Sequence, residues 1–300
     1  MMNYKKILTL ILAMLMIFSV SACGDNVTQT SLHPTISKPG SDASADLSLP
    51  ESVKLEAVAE DTCIHELVMD EYTAKAQVES CFDIKLNEMT KVRNGNFITY
   101  TNAECEVMYD EECGYWTYDV LNRKSPKSGM SMSDEEALKI AKDFVEENEL
   151  WPEEISNVKT VDQYGLNEDL EYGVDTKSVY FYPQVDGKTV LGRFRISIDV
   201  DLTGEIVSVK YMVTPLGESI SASLKSRADI AADVKAGDYS ASFTQDLSDA
   251  QISRCEYGYY ADGVAHDGKT YLYPVYILIG EGKTADGSTE TFDLIIDAQK

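Results

Sequence analysis

Few stretches of this 300-residue chain carry residue types at spacings that could do chemistry. Ser156 and Lys159 stand in an S-x-x-K arrangement, in which a lysine can activate a serine nucleophile. The KTG and SDN partners of such sites are missing, so the match reads as chance on the start of a strand. Asp199, Asp201, Thr203 and Gly204 fall at positions one, three, five and six of a calcium-loop pattern. Position twelve is Lys210, where a bidentate glutamate is required, so DVDLTGE reads as a glycine-containing hairpin. His65, inside CIHELV, sits on a predicted helix and reads as structural; His33 and His266 fall in polar stretches where a base would be solvated. Neither a nucleophile elbow nor HExxH occurs, no CxxC occurs, and no histidine lies at ligand spacing from a cysteine. The expectation is a chain with no catalytic residues, no metal and no cofactor.

Tyrosine is the feature with binding content. Tyr180, Tyr182, Tyr257, Tyr259, Tyr260, Tyr271, Tyr273 and Tyr276 concentrate on predicted strands, and tyrosine suits recognition because it offers a large surface with a polar tip. Packing of the sheet is the simpler role. Tyr257, Tyr259, Tyr271, Tyr273 and Tyr276 are the candidate binding residues, on a sheet edge to which a partner could add a strand.

The elements that must position these residues begin after an N-terminal leader. Lys5 and Lys6 precede an apolar run, Ile7 to Val20, that is short for a mature spanning helix. It ends in VSAC, which resembles a bacterial lipobox, and the resemblance implies cleavage after residue 22 and diacylation of Cys23. Residues 23–50, rich in Ser, Thr, Asp and Pro, read as a disordered tether reaching on the order of 30 Å. The net charge of −25 becomes about −27 without Lys5 and Lys6 and excludes nucleic acid as a partner. Cys63, Cys81, Cys105, Cys113 and Cys255 are odd in number, so no complete disulfide framework is possible; Cys105 and Cys113 flank a hairpin and could pair.

The apolar spacing of Ile64, Leu67, Val68, Val78 and Phe82 predicts a helix, and short strands come after it, broken at Asn94-Gly95 and Cys113-Gly114. Residues 51–128 thus read as an N-terminal α+β module. Ser133 with Glu136 is a capping box for a helix whose apolar face is Ala137, Ile140, Ala141, Phe144 and Val145. Ser226 with Asp229 caps a second, stopped by Gly237. Each helix precedes strands, and DGKT recurs in both sets, at Asp186 and at Asp267, with Gly187 and Gly268 supplying the positive φ of a tight hairpin. Phe194, Ile196, Ile198 and Val200 alternate with Arg193, Arg195, Ser197 and Asp199, as in a half-buried strand. The expected architecture is α+β: the N-terminal module, then two repeated helix-plus-antiparallel-sheet units at 129–217 and 218–300.

SDEEALKIAKDFV followed by ISIDVDLTGEIVSV resembles the PepSY-type pattern. LKSRADIAADVKAGDY, ISRCEYGYYAD, KTYLYPVYILIGEG and TFDLIIDA resemble the C-terminal domain of the YycH/YycI regulators, extracytoplasmic proteins that restrain a sensor histidine kinase. The full layout resembles lipoproteins of Gram-positive anaerobes. The resemblance implies a non-catalytic interaction or regulatory module, lipid-anchored at Cys23 on the extracytoplasmic face of the cell membrane, with a membrane-protein or secreted-protein partner. Alternatives are a PepSY-like inhibitor or chaperone of a secreted peptidase, and an envelope lipoprotein that binds a small ligand.

Overall fold

The structure is a computed structural model and describes residues 32–34, 44–55, 62–68, 70–151, 155–243, 245–264 and 268–300. The expected leader, Cys23 and His266 lie outside the described residues.

The apolar spacing over residues 64–82 predicts one helix, but two elements form there: strand β1 (Cys63–Leu67) and helix α1 (Glu71–Phe82). The helix can begin only at Glu71, because the Asp70 carboxylate accepts the Thr73 N–H at 2.8 Å. Upstream, the pull of two neighbouring strands outweighs local preference. Next come β2 (Thr90–Asn94), β3 (Phe97–Thr101), β4 (Cys105–Asp110) and β5 (Tyr115–Val120). Helix α2 (Asp134–Glu147) starts at the expected capping box, with Ser133 Oγ accepting from Glu136 N and Glu136 Oε2 accepting from Ser133 N. After it come β6 (Ile155–Leu166), β7 (Tyr172–Val185), β8 (Lys188–Gly192), β9 (Ile196–Asp201), β10 (Ile206–Tyr211) and β11 (Leu216–Ser221). Helix α3 (Arg227–Ala236) repeats the capping box with Ser226 and Asp229 and ends at Gly237, φ 72°. The short β12 (Ser240–Ala241) and the long β13 (Ser248–Val264), β14 (Thr270–Lys283) and β15 (Thr289–Asp297) complete the fold.

These strands do not form two repeated helix-plus-sheet units. Among the described residues fifteen strands join in one mixed sheet ordered β11-β1-β14-β13-β8-β7-β9-β10-β5-β4-β3-β2, with β6 on β7, β15 on β14 and β12 on β15. The reason lies in the strand that leaves each DGKT. In the first, Asp186 (φ 54°) and Gly187 (φ 68°) make a two-residue turn, but β8 pairs with β7 only at Val185–Lys188 and Gln184–Thr189. It then runs parallel to β13, pairing Tyr259–Val190, Tyr260–Leu191 and Ala261–Gly192. After the second, β14 stays antiparallel to β13 along its length. One tetrapeptide thus opens a crossing strand in one place and a long hairpin in the other.

The expected module boundaries do not interrupt the sheet. β1 lies between β11 and β14, and β5 pairs with β10, so strands from before Ser128 complete the sheet after it. One core packs α1 and α2 together, with Val78, Ala137, Ala141 and Val145 against Trp116, Phe181, Ile196 and Ile198. The other packs Ile230 and Val234 of α3 against Leu272, Leu278, Leu294 and Ile296. Leu47 and Val53 are buried in that second core, and Ser44 donates to the Asp246 carboxylate through its N–H and hydroxyl. The tether reading therefore does not extend to residues 44–50. Each fully buried leucine or isoleucine contributes about 1.5–3 kcal/mol, so both cores hold their helices by burial rather than propensity.

DVDLTGE is the hairpin expected: the Asp201 carboxylate accepts from Thr203 N, Thr203 Oγ and Glu205 N within 3.0 Å, and Gly204 has φ 92°. Among the described residues no two cysteines form a disulfide. Cys105 starts β4 while Cys113 lies in the turn beyond its far end, which separates the two thiols along the strand.

Candidate functional site

The candidate tyrosines do not stand on a sheet edge. β13 and β14 are interior strands, and Tyr257, Tyr259, Tyr271, Tyr273 and Tyr276 are all 4% exposed or less. Tyr257, Tyr259 and Tyr276 join the α3 core, with rings about 6 Å apart: Tyr257 is 5.7 Å from Tyr259 and 6.0 Å from Tyr276. Burial pushes the Tyr257 and Tyr259 phenols above their ordinary range, so they stay neutral. They pack the sheet, and a partner cannot reach them.

His65 is on β1, not on a helix. Its Nδ1 lies 3.0 Å from Ser219 Oγ, and its Nε2 lies 3.4 Å from Tyr259 Oη and 3.7 Å from Asp186 Oδ2. A serine, a histidine and an aspartate thus meet, but not as a nucleophilic triad. The contact to Asp186 is long, and that carboxylate is 71% exposed, so it cannot hold the ring. Burial lowers the His65 pKa, with Asp186 opposing, and the neutral ring ties β1 to β11 and β13.

A cleft of about 820 Å³ opens where β8 leaves β7 for β13. Its position follows from strand alternation. On β6, β7 and β9, Val158, Phe181 and Ile196 face the α2 core, which turns Lys159, Tyr182 and, just before β9, Arg195 to the opposite face. On β14 and β15, Leu278, Leu294 and Ile296 face α3, which turns Ile277, Ile279 and Ile295 away from it. The two helix-free faces form the walls, and Thr189, Leu191 and Gly192 form the floor.

The walls differ in charge. The first carries Lys159, Arg193 and Arg195, with Asp262 next in register to Arg193; the second carries the isoleucines with Arg254, Glu256 and Asp293. Arg254 is ion-paired with Glu256 at 3.3 Å. Among the described residues, no carboxylate lies at ion-pair distance from Lys159, Arg193 or Arg195. Arg193 Nη1 donates to Cys113 Sγ at 3.0 Å, and burial keeps that thiol protonated by raising its pKa.

Arg195 is held in place by rings. Its guanidinium lies 5.0 Å from the Tyr180 ring centroid and 6.0 Å from that of Tyr182, which fixes the plane by cation–π contact. Among the described residues its Nη1 donates only to Gly192 O, at 3.4 Å, and its buried Nε has no partner. A planar fork with unused donors suits a carboxylate, which can accept two parallel N–H bonds. Tyr180 and Tyr182 thus have a supporting role at the site; Lys159, Arg193, Arg195 and Arg254 are not singled out by any motif. The available signal is the polar side of RFRISIDV, where two arginines stand two apart in an otherwise acidic chain.

No family model matches the chain, and no curated protein matches it. Among solved structures, an uncharacterized protein from Eubacterium rectale is similar at TM-score 0.40 and 13% identity, over 80% of this chain and 84% of that one. The C-terminal domain of YpeB from Bacillus megaterium is similar at TM-score 0.36 and 14% identity, over 75% of this chain and 98% of that one. The YpeB domain is therefore a distant structural neighbour.

Proposed function

We propose that this chain is a non-catalytic binding protein whose cleft takes an acidic segment of a protein partner. The proposal includes a regulatory, PepSY-like role at the extracytoplasmic face of the membrane, with the chain anchored through lipid on Cys23. The observation that carries the cleft reading is Arg195, stacked on Tyr180 and Tyr182 with an unpartnered buried Nε, on a wall otherwise lined by Lys159 and Arg193. In a chain of net charge −25, three cations with no carboxylate at ion-pair distance among the described residues oppose the general field of the surface. They attract an anion locally, while the surrounding acidity disfavours anionic ligands that touch more than the cleft. The isoleucines of the second wall favour a segment that carries apolar side chains beside its carboxylates.

The test is fluorescence anisotropy with a labelled peptide of alternating glutamate and leucine, and a glutamine-for-glutamate control. A charge-assisted hydrogen bond contributes about 1.5–3 kcal/mol, so Arg195→Ala should weaken binding of the acidic peptide about tenfold or more. Arg195→Lys should restore only part of it, because lysine lacks the fork. Equal affinity of the wild type and Arg195→Ala for the acidic peptide, or equal affinity of the wild type for both peptides, would refute the cleft reading.

A further inference from the structure

The turn between β6 and β7 is the chemical complement of the cleft. Tyr164, Leu166, Leu170 and Tyr172 cluster there at 55–78% exposure, with the Tyr164 and Tyr172 rings stacked 5.8 Å apart. From Thr160 to Thr176 the chain carries five acids and no base. Lys177 offsets Asp162 and Arg123 offsets Asp175, which leaves Glu168, Asp169 and Glu171 at the tip. Among the described residues no base stands at ion-pair distance from these three. The turn is built rather than loose. Asn167 Oδ1 accepts from Asp169 N and Glu171 N at 2.9 Å, Leu170 takes φ 64°, and Glu168 N donates to Pro126 O at 3.1 Å.

We infer that the acidic segment taken by the cleft is this turn from a second copy of the chain, so that copies associate head to tail. The inference rests on the cleft reading of the proposed function. Glu168, Asp169 and Glu171 would meet the cationic wall of Lys159, Arg193 and Arg195, while Leu170 and the tyrosines meet Ile277, Ile279 and Ile295. One chain cannot do this alone. Asn157 and Tyr182 line the cleft and Leu166 and Tyr172 end the same two strands, about nine or ten residues away. At about 3.3 Å per residue the tip stands roughly 30 Å from its own cleft on a paired hairpin. Four exposed apolar side chains on one tip also call for cover, and an acidic rim disfavours an anionic lipid surface as that cover.

The test uses the full chain in a mild detergent and measures mass by sedimentation velocity over a wide range of protein concentration. The tip variant is Glu168→Lys with Asp169→Lys and Glu171→Lys; the cleft variant is Lys159→Glu with Arg254→Glu, both at exposed positions. The wild type should associate with rising concentration and fall apart as salt rises to about 0.5 M. Each variant alone should be monomeric, because like charges then meet. Mixed in equal amounts, the two variants should associate again, since each charge set finds its opposite. A wild type that stays monomeric throughout, or a mixture that stays monomeric while the wild type associates, overturns head-to-tail docking. Either result leaves the peptide measurement on Arg195 to decide the cleft reading separately.

Discussion

Gly192 and Gly187 make a controlled pair for the claim that the β8–β13 crossing holds the two parts of the sheet together. Both have positive φ, 84° and 68°, five residues apart. Among the described residues nothing lies within 4 Å of where a Cβ on Gly187 would stand. Gly187→Ala therefore meets only the left-handed backbone cost, about 1–2 kcal/mol. At Gly192 a Cβ would stand 2.2 Å from Ala261 O and 3.1 Å from Ala261 C. These are backbone atoms of the facing strand, not a side chain that can swing aside. To reach ordinary contact the strands must part by more than about 1 Å, which weakens the Arg193 N to Ala261 O bond, now 3.3 Å. It also loosens Val190, which is fully buried. A lost hydrogen bond costs about 1 kcal/mol and partial loss of packing about 1–2 more. Gly192→Ala should thus destabilise by about 3–5 kcal/mol, a large fraction of a typical domain's 5–15 kcal/mol. Urea unfolding followed by the fluorescence of buried Trp116 gives both values on one scale. If the two alanine variants unfold within about 0.5 kcal/mol of each other, the close approach at the crossing is not a determinant of stability. Gly192 also lies in the cleft floor, so a folded Gly192→Ala chain should bind the acidic peptide less tightly.

Two further outcomes concern His65 and Cys23. Burial lowers the folded pKa of His65 below its ordinary value of 6.5, so the unfolded chain binds the more protons between those two values. The stability that neutral His65 contributes is complete above about pH 6.5 and declines as pH falls toward the folded pKa, so the advantage of wild type over His65→Asn should shrink between pH 7.5 and pH 5.5; an advantage constant over that range in urea unfolding would count against a buried neutral ring. Cys23→Ser should abolish metabolic acyl labelling and shift the protein from membrane to soluble fractions or leave a precursor; unchanged processing and retention, with no label in wild type, would remove the anchor from the proposal.

What the sequence determined by itself is local. The capping boxes at Ser133 and Ser226, the helix stop at Gly237 and the positive-φ turns at Gly187, Gly204 and Gly268 all form where their residues stand. Each depends on hydrogen bonds and backbone angles within a few positions, and no distant contact is needed to select them. The alternation from Arg193 to Val200 likewise separates a buried side from a polar one. The tertiary structure decided which strands become neighbours and what covers each face. CIHEL is a strand because β11 and β14 flank it, although its apolar spacing also suits a helix. The two DGKT turns diverge because β8 finds a parallel partner in β13, a pairing between residues about 70 apart that no local signal encodes. The five candidate tyrosines are core because their strands are interior, and Arg195 faces a cleft because a second sheet face stands opposite it. Period-two alternation divides a strand into two faces, but it leaves open which face meets water, and only the assembled sheet resolves that choice.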